Sequence, residues 1–274
     1  MIGFSAGSFQ STDAIYIKPD STGANRGYGA FDFFGVINGI AFYLDRHLDR
    51  FFNTMNILRL SIALTKNEVK AIIEEVIQRN QHKDFHIKLF AYPTDNYLQK
   101  TIPADLFVIP LIVPVDPAFK YAEGVKLIMK EYQRFLPEAK STNYLPLVYW
   151  QNGINDSGAV DVLYYSDGFI RESSRGNVFV VKANQVFTPG EQMLKGITRS
   201  VVMDILWDNS IAVKEKNISM EELFEADEVF LSSTTKKILP ITKIDTQIIG
   251  NGKVGPNSKS VYDLFNQLQL NWGK

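Results

Sequence analysis

The chain has 274 residues and no cysteine, which excludes disulfides, thiol nucleophiles and cysteine-ligated zinc or iron–sulfur centres. Lys and Arg total 29 against 30 Asp and Glu, so the basic excess typical of duplex-binding proteins is absent and nucleic acid is not an expected partner. A hydrophobic content of 45% beside 22% charged residues is globular usage, in one or two domains. The longest apolar stretch, Leu106 to Val115, carries Pro110 and Pro114 and is too short to span a bilayer. The N-terminus shows no basic start ahead of a long apolar run, so a cytoplasmic protein without a membrane partner is expected.

In chain order, Ala30 to Ile37 and Ile40 to Leu44 flank Asn38-Gly39, a strong hairpin signal. Asp45 is placed to cap a helix whose Leu48, Phe51, Phe52 and Met55 recur at helical spacing. Thr65 and Glu68 form a capping box ahead of Val69, Ile72, Ile73, Val76 and Ile77. Phe85 to Tyr92 and Asp105 to Val113 read as strands, and Pro110, Pro114 and Pro117 as a linker. Beyond it, Val125 to Met129 is strand-like. Asn143 to Gln151 is helical, with Pro146 tolerable in its first turn. Hairpins are expected from Ala159 to Glu172 and from Val178 to Thr188. A helix follows from Thr198 to about Asp208, then a capping box at Ser219 and Glu222, a strand from Val229 to Ser232, and a last helix holding Val261, Leu264 and Phe265. The pattern is α+β, in two parts, residues 1–117 and 118–274.

Several motifs have plain readings. Gly250-Asn251-Gly252-Lys253-Val254-Gly255 matches a dinucleotide fingerprint, but Pro256 follows and too little chain remains for the next strand, so it reads as a glycine turn. Ser233-Thr234-Thr235-Lys236 matches S-x-x-K, a pattern short enough to arise by chance. His82 and His86 lie four apart on what reads as a strand, so no metal site is expected.

More informative are Lys140-Ser141-Thr142-Asn143-Tyr144-Leu145, the run from Glu172 through Asn177 to Phe179, Thr188-Pro189, Leu194-Lys195-Gly196-Ile197-Thr198-Arg199, and Ser232-Ser233-Thr234-Thr235 after a strand. Taken singly, Lys140 is a solvated lysine, Glu172 a strand-end charge and Thr198 an ordinary helix start. Together, in this order and at these separations, they resemble the fold-type IV pyridoxal-phosphate enzymes, which include branched-chain aminotransferases, D-amino-acid aminotransferases and aminodeoxychorismate lyases. The resemblance runs from about Gly27 to the C-terminus and includes His47-Leu48-Asp49-Arg50. Asp227 to Thr235 and Gly252 to Gly255 look most like the D-amino-acid branch.

The resemblance implies a small N-terminal α/β domain, a larger pseudo-barrel C-terminal domain, pyridoxal 5'-phosphate (PLP) as cofactor, and a homodimer. It implies an aminotransferase that moves an amino group between a branched-chain-type or D-type amino acid and a 2-oxo acid through an aldimine on Lys140. Glu172 would face the pyridine nitrogen, Leu194 would press on the ring, and Tyr144 would meet the ring hydroxyl. Arg50, Ile197, Thr198, Ser233 and Thr234 would form the phosphate cup, the two helix-start residues through backbone amides.

The substrate half departs from the family pattern. The usual G-D-G-x-[FY]-E is here Gly27-Tyr28-Gly29-Ala30-Phe31-Asp32, so Phe31 lacks the substrate-binding hydroxyl of the D-branch. His86-Ile87-Lys88-Leu89 replaces Y-I-R-P, leaving His86, Lys88 and Tyr92 as candidate carboxylate binders. Phe31, Phe33 and Phe34 suggest an apolar substrate side chain. The rival readings are an aminodeoxychorismate lyase and a non-catalytic protein that retains the fold.

Overall fold

The computed structural model describes residues 1–93 and 98–274. They separate into two compact units: residues 1–114 with 139–144 and 271–274, and residues 115–138 with 145–270. The main crossover lies three residues before the boundary proposed from sequence. The structure adds that residues 139–144 and the C-terminal tail pack with the first unit.

The first unit contains β1 (Ile2–Ser5), β2 (Ser8–Ser11), α1 (Thr22–Arg26), β3 (Ala30–Ile37), β4 (Ile40–Ala41), α2 (Leu44–Ile57), β5 (Leu60–Ser61), α3 (Lys66–Arg79), β6 (Phe85–Pro93) and β7 (Ile102–Leu111). The sheet order is β2-β1-β7-β6-β3-β4, with β5 alongside β7. Asn38 and Gly39 both take positive φ (52° and 78°), as a two-residue hairpin of this type requires. Pro110 is a residue of β7 opposite Ile87 rather than part of a linker. Strand alternation sends Phe85, Ile87, Leu89 and Ala91 into a core with Leu48, Phe51, Val69, Ile73 and Val76 from α2 and α3. Both arms of the Thr65–Glu68 capping box are present. Asp45 does not cap α2. The N-cap is Tyr43, without a side-chain bond, and Asp45 lies in the first turn, where its carboxylate accepts from Lys70 Nζ at 2.7 Å.

The second unit contains α4 (Phe119–Glu123), β8 (Val125–Glu131), α5 (Leu145–Asp156), β9 (Asp161–Ser166), β10 (Phe169–Ser173), β11 (Asn177–Lys182), β12 (Gln185–Thr188), α6 (Ile197–Asp208), β13 (Val213–Glu215), β14 (Ile218–Ser219), α7 (Met220–Phe224), β15 (Glu228–Ser233), β16 (Lys237–Ile244), β17 (Gln247–Ile248) and α8 (Pro256–Leu270). Its sheet runs β13-β12-β11-β15-β16-β8-β9-β10-β14, with β17 on β16. Most pairs are antiparallel, but β8 runs parallel to both β9 and β16. One face packs Leu127, Leu163, Ile170, Val178, Val180, Leu231 and Leu239 into a second core.

The glycine motif at 250–255 has a structural explanation. The carboxylate of Glu228 accepts bonds from the amides of Asn257 (3.0 Å) and Ser258 (2.8 Å), capping the start of α8. A Cβ on Gly255 would lie 2.0 Å from Glu228 Cδ, so only glycine lets the carboxylate reach that helix end. Among the described residues, no helix is long and apolar enough to cross a membrane.

Candidate active site

In the first unit, Lys140 sits in an extended segment tied to β3. Its carbonyl accepts from Phe31 N at 3.0 Å, and its amide donates to Thr54 Oγ1 at 3.2 Å. Thr142 N adds a bond to the Gly29 carbonyl at 2.9 Å. With the backbone fixed on both sides, the amine is aimed: Lys140 Nζ lies 4.5 Å from the centre of the Phe31 ring. Tyr144 meets the same ring edge-on, with centroids 5.7 Å apart. The structure therefore brings Lys140, Tyr144 and Phe31 together.

Register places the substrate candidates on the same sheet face as Phe31. Phe31 pairs with Phe90, Phe33 with Lys88 and Gly35 with His86. Lys88 Nζ lies 4.9 Å from the Phe90 ring and 5.5 Å from Phe31. Burial pushes the Lys88 amine and the His86 imidazole below their ordinary pKa values. Tyr92 stacks on Phe90 at 5.0 Å and fills the space a Cβ on Gly23 or Gly29 would need. Phe34 does not join this group. It projects from the opposite face of β3, fully buried in the core, because successive strand residues alternate sides.

On that opposite face stands a charged triad. Asp32, 0% exposed, accepts from Arg50 Nε at 2.9 Å and Nη2 at 2.8 Å, and from His47 Nδ1 at 2.7 Å. Burial alone would raise the Asp32 pKa. The Arg50 and His47 charges and hydrogen bonds outweigh it and hold the carboxyl well below the usual carboxylate range. Burial pushes His47 down, against the pull of Asp32. Arg50 thus has a partner that its sequence context did not indicate. Arg50→Ala is expected to cost about 3–5 kcal/mol of stability, because it leaves a buried carboxylate without its fork. Urea unfolding at neutral pH measures this, and a loss under about 1 kcal/mol would count against the triad. A carboxyl with a depressed folded pKa stabilises above its unfolded value, near pH 4, and that stability is lost as pH falls below it. The gap between wild type and Arg50→Ala should therefore close in acid.

In the second unit, Glu172 lies at the end of β10 and is 6% exposed. Its Oε1 accepts from Arg134 Nε at 2.8 Å and its Oε2 from Leu194 N at 3.2 Å. Leu194 is held from the other side as well, since Asn177 Nδ2 donates to its carbonyl at 2.7 Å. Two residues on, Gly196 is the N-cap of α6, and a Cβ there would lie 2.2 Å from Asn177 Oδ1. The first helical bond of α6 runs from Ser200 N to the Gly196 carbonyl at 3.0 Å, so the Ile197, Thr198 and Arg199 amides precede the ladder. Ser233 and Thr234 lie at the end of β15 and in the turn that follows, where Ser233 Oγ accepts from Lys236 N at 3.2 Å.

One contributor was missed in the sequence. Arg134, the partner of Glu172, lies in no recognisable pattern. Ser232, already singled out with the run that follows it, is 1% exposed, and its hydroxyl has no hydrogen-bond partner among the described residues. It pairs across the sheet with Asn177, so alternation puts both side chains on the same face, a signal already present in the strand period.

The second unit offers a buried, oriented carboxylate and a helix start with a bare glycine cap, and the first unit offers a lysine with a fixed backbone. Over residues 29–244 the sequence matches the amino-transferase class IV family. The chain belongs to that family. Its members are PLP-dependent, and the chain is an aminotransferase in class.

A putative branched-chain-amino-acid aminotransferase of Methanocaldococcus jannaschii is 30% identical over 259 residues, covering 90% of this chain and 89% of that one. A D-alanine aminotransferase of Bacillus licheniformis is 30% identical over 247 residues, covering 86% and 87%. Among solved structures, a branched-chain amino acid aminotransferase from T.th., solved with pyridoxamine 5'-phosphate, superposes with a TM-score of 0.91 at 24% identity, covering 98% of this chain and 93% of that one. The branched-chain aminotransferase of Thermoproteus uzoniensis with norvaline gives 0.90 at 24% identity, covering 100% and 96%. These likenesses establish the fold-type IV architecture expected from the sequence.

Proposed function

We propose that this aminotransferase transfers an amino group between an amino acid with an apolar side chain, of the branched-chain or D-type, and a 2-oxo acid, with PLP held on Lys140. The observation that carries the reading is the fixed Lys140 segment, which aims an amine over Phe31 on an aromatic sheet face. The residues fit the group: α6 offers amides at a helix start, and Glu172 is an oriented buried carboxylate.

PLP, when bound, supplies an electron-withdrawing ring that accommodates the electron pair left as a substrate Cα proton departs. Glu172 would hold the proton on the pyridine nitrogen. Leu194, fixed at both its amide and its carbonyl, would pack the ring face. The Ile197 and Thr198 amides and the Thr198, Ser233 and Thr234 hydroxyls would hold the phosphate; Arg50, proposed for the same cup from its sequence context, has its Nε and Nη2 engaged by Asp32. Lys140 would take the proton from substrate Cα as base and deliver it as acid to the cofactor's C4′, since return to Cα gives no net amino transfer. Lys88, between Phe31 and Phe90, takes the substrate carboxylate, with His86 and Tyr92 beside it.

The test is a panel of branched-chain, aromatic and small amino acids of both hands, with loss of the cofactor's visible band followed in half-reactions. Conversion by an apolar amino acid supports the reading. No conversion, together with pyruvate release from aminodeoxychorismate, assigns the chain to the lyases instead. The proposal includes a homodimer, supported by Leu145, Val148 and Tyr149, which lie exposed at helical spacing on α5. Light scattering should then return twice the 31.0 kDa chain mass, and a monomer at micromolar concentration would remove the dimer from the proposal.

A further inference from the structure

Within the second unit, a buried ion pair outside the residues assigned above joins three segments. Asp161, at the start of β9, is 0% exposed and accepts from Lys236 Nζ at 2.9 Å. The same carboxylate accepts from the Ser174 hydroxyl, from Ser173 Oγ at 3.5 Å and from Val162 N at 2.8 Å, and Arg175 Nε stands 3.9 Å away. Lys236 ends the turn from β15 to β16 that contains Thr234, and its side chain is 12% exposed. Ser173 to Gly176 form the turn that begins one residue after Glu172. That turn is packed directly against the hairpin, since a Cβ on Gly176 would lie 2.7 Å from the Ser232 carbonyl and 3.2 Å from Ser233 Cβ.

We propose that Asp161 and Lys236 are positioning residues that hold the Ser233–Thr235 turn and the Glu172 turn in fixed relation. The pair thereby couples the phosphate end of the cofactor site to its ring-nitrogen end. The inference rests on the assignment of PLP to this chain. A hairpin tip is an exposed, locally mobile element by default, and affinity for a ligand it grips depends on how much ordering remains to be done on binding. A buried pair anchored at β9 does that ordering in advance. Burial works against the charge on the Lys236 amine, and Asp161 is the group that favours it. The arrangement also accounts for the S-x-x-K run: Ser233 Oγ accepts from Lys236 N, closing the turn, while the lysine side chain reaches Asp161.

A structural pair and a positioning pair respond differently to a double substitution. Removing one partner leaves a buried charge, so Lys236→Met and Asp161→Asn should each lower Tm. The double variant Lys236→Met/Asp161→Asn leaves no buried unpaired charge, since Arg175 is half exposed, and should regain most of that Tm. It does not restore the tether, so its PLP dissociation constant should stay about tenfold or more above wild type. The phosphorus-31 resonance and visible circular dichroism of bound PLP should also stay shifted. Lys236→Arg, which keeps the charge, should bring affinity back to within about threefold.

The inference is overturned if the double variant recovers Tm and PLP affinity together, or if the single variants lose Tm with PLP affinity unchanged. Failure of the cofactor assignment looks different: wild type itself then takes up no PLP, and both readings fall.

Discussion

Lys140→Ala is expected to abolish turnover, lowering the half-reaction rate by at least about 10²–10⁴-fold, the range for loss of a positioned general base, with loss of the covalent hold on the cofactor in addition. Borohydride reduction of wild type followed by digestion should place a single phosphopyridoxyl group on Lys140. The competing lysines have geometric reasons to be passed over. Lys236 Nζ is committed to Asp161 at 2.9 Å, and Lys195 is an exposed residue beside the α6 cap. Lys88 is the closest rival, because its amine shares the Phe31 ring with Lys140. Lys88→Met should therefore keep the label on Lys140 while raising KM for the amino acid. A label on Lys88, Lys195 or Lys236 would sink the assignment. Added methylamine should restore part of the Lys140→Ala rate, since a small free amine can move the Cα proton that the side chain no longer reaches.

Much of the scaffold was readable before the structure. The hairpin at Asn38-Gly39 and the boxes at Thr65 and Ser219 were legible because each depends on a few adjacent residues whose side chains or positive φ values do the work. Contacts between segments far apart in sequence were not. Asp32 with Arg50, Glu172 with Arg134, and Asp161 with Lys236 join residues separated by 18, 38 and 75 positions. No periodicity links them, and each buried charge is intelligible only once its partner is placed. Phe31, Phe33 and Phe34 show the limit within a single strand. Composition groups the three, but the pleat sends Phe34 to the core and leaves the other two on the face with Lys88. The glycines at 250–255 show the reverse case. The motif matched a nucleotide fingerprint, and what the third glycine admits is the protein's own Glu228 carboxylate.

Glu172→Gln is expected to retain PLP while kcat falls by at least about a hundredfold, roughly 2.7 kcal/mol of transition-state stabilisation. The amide is nearly isosteric but keeps one acceptor oxygen for the two donors, Arg134 and Leu194 N, and the loop before α6 then relies on the bond from Asn177 Nδ2 to the Leu194 carbonyl to keep its place. What changes is charge. A neutral amide no longer favours a proton on the pyridine nitrogen, and the ring then accommodates less of the electron pair released at substrate Cα. The loss should fall on kcat more than on KM, because the carboxylate works in the transition state and makes no proposed contact with the substrate. Arg134 complicates the variant, since its side chain is 16% exposed and loses an ionic partner. Some stability should go with it, about 1.5–3 kcal/mol for a hydrogen bond to a charged group. Pairing Glu172→Gln with Arg134→Met separates the two effects: stability should partly return, while kcat should not. Glu172→Asp, which keeps the charge on a shorter arm, should recover part of kcat. An unchanged kcat in Glu172→Gln would mean that another group faces the ring nitrogen and that the Arg134–Glu172 pair serves only to fix the start of α6.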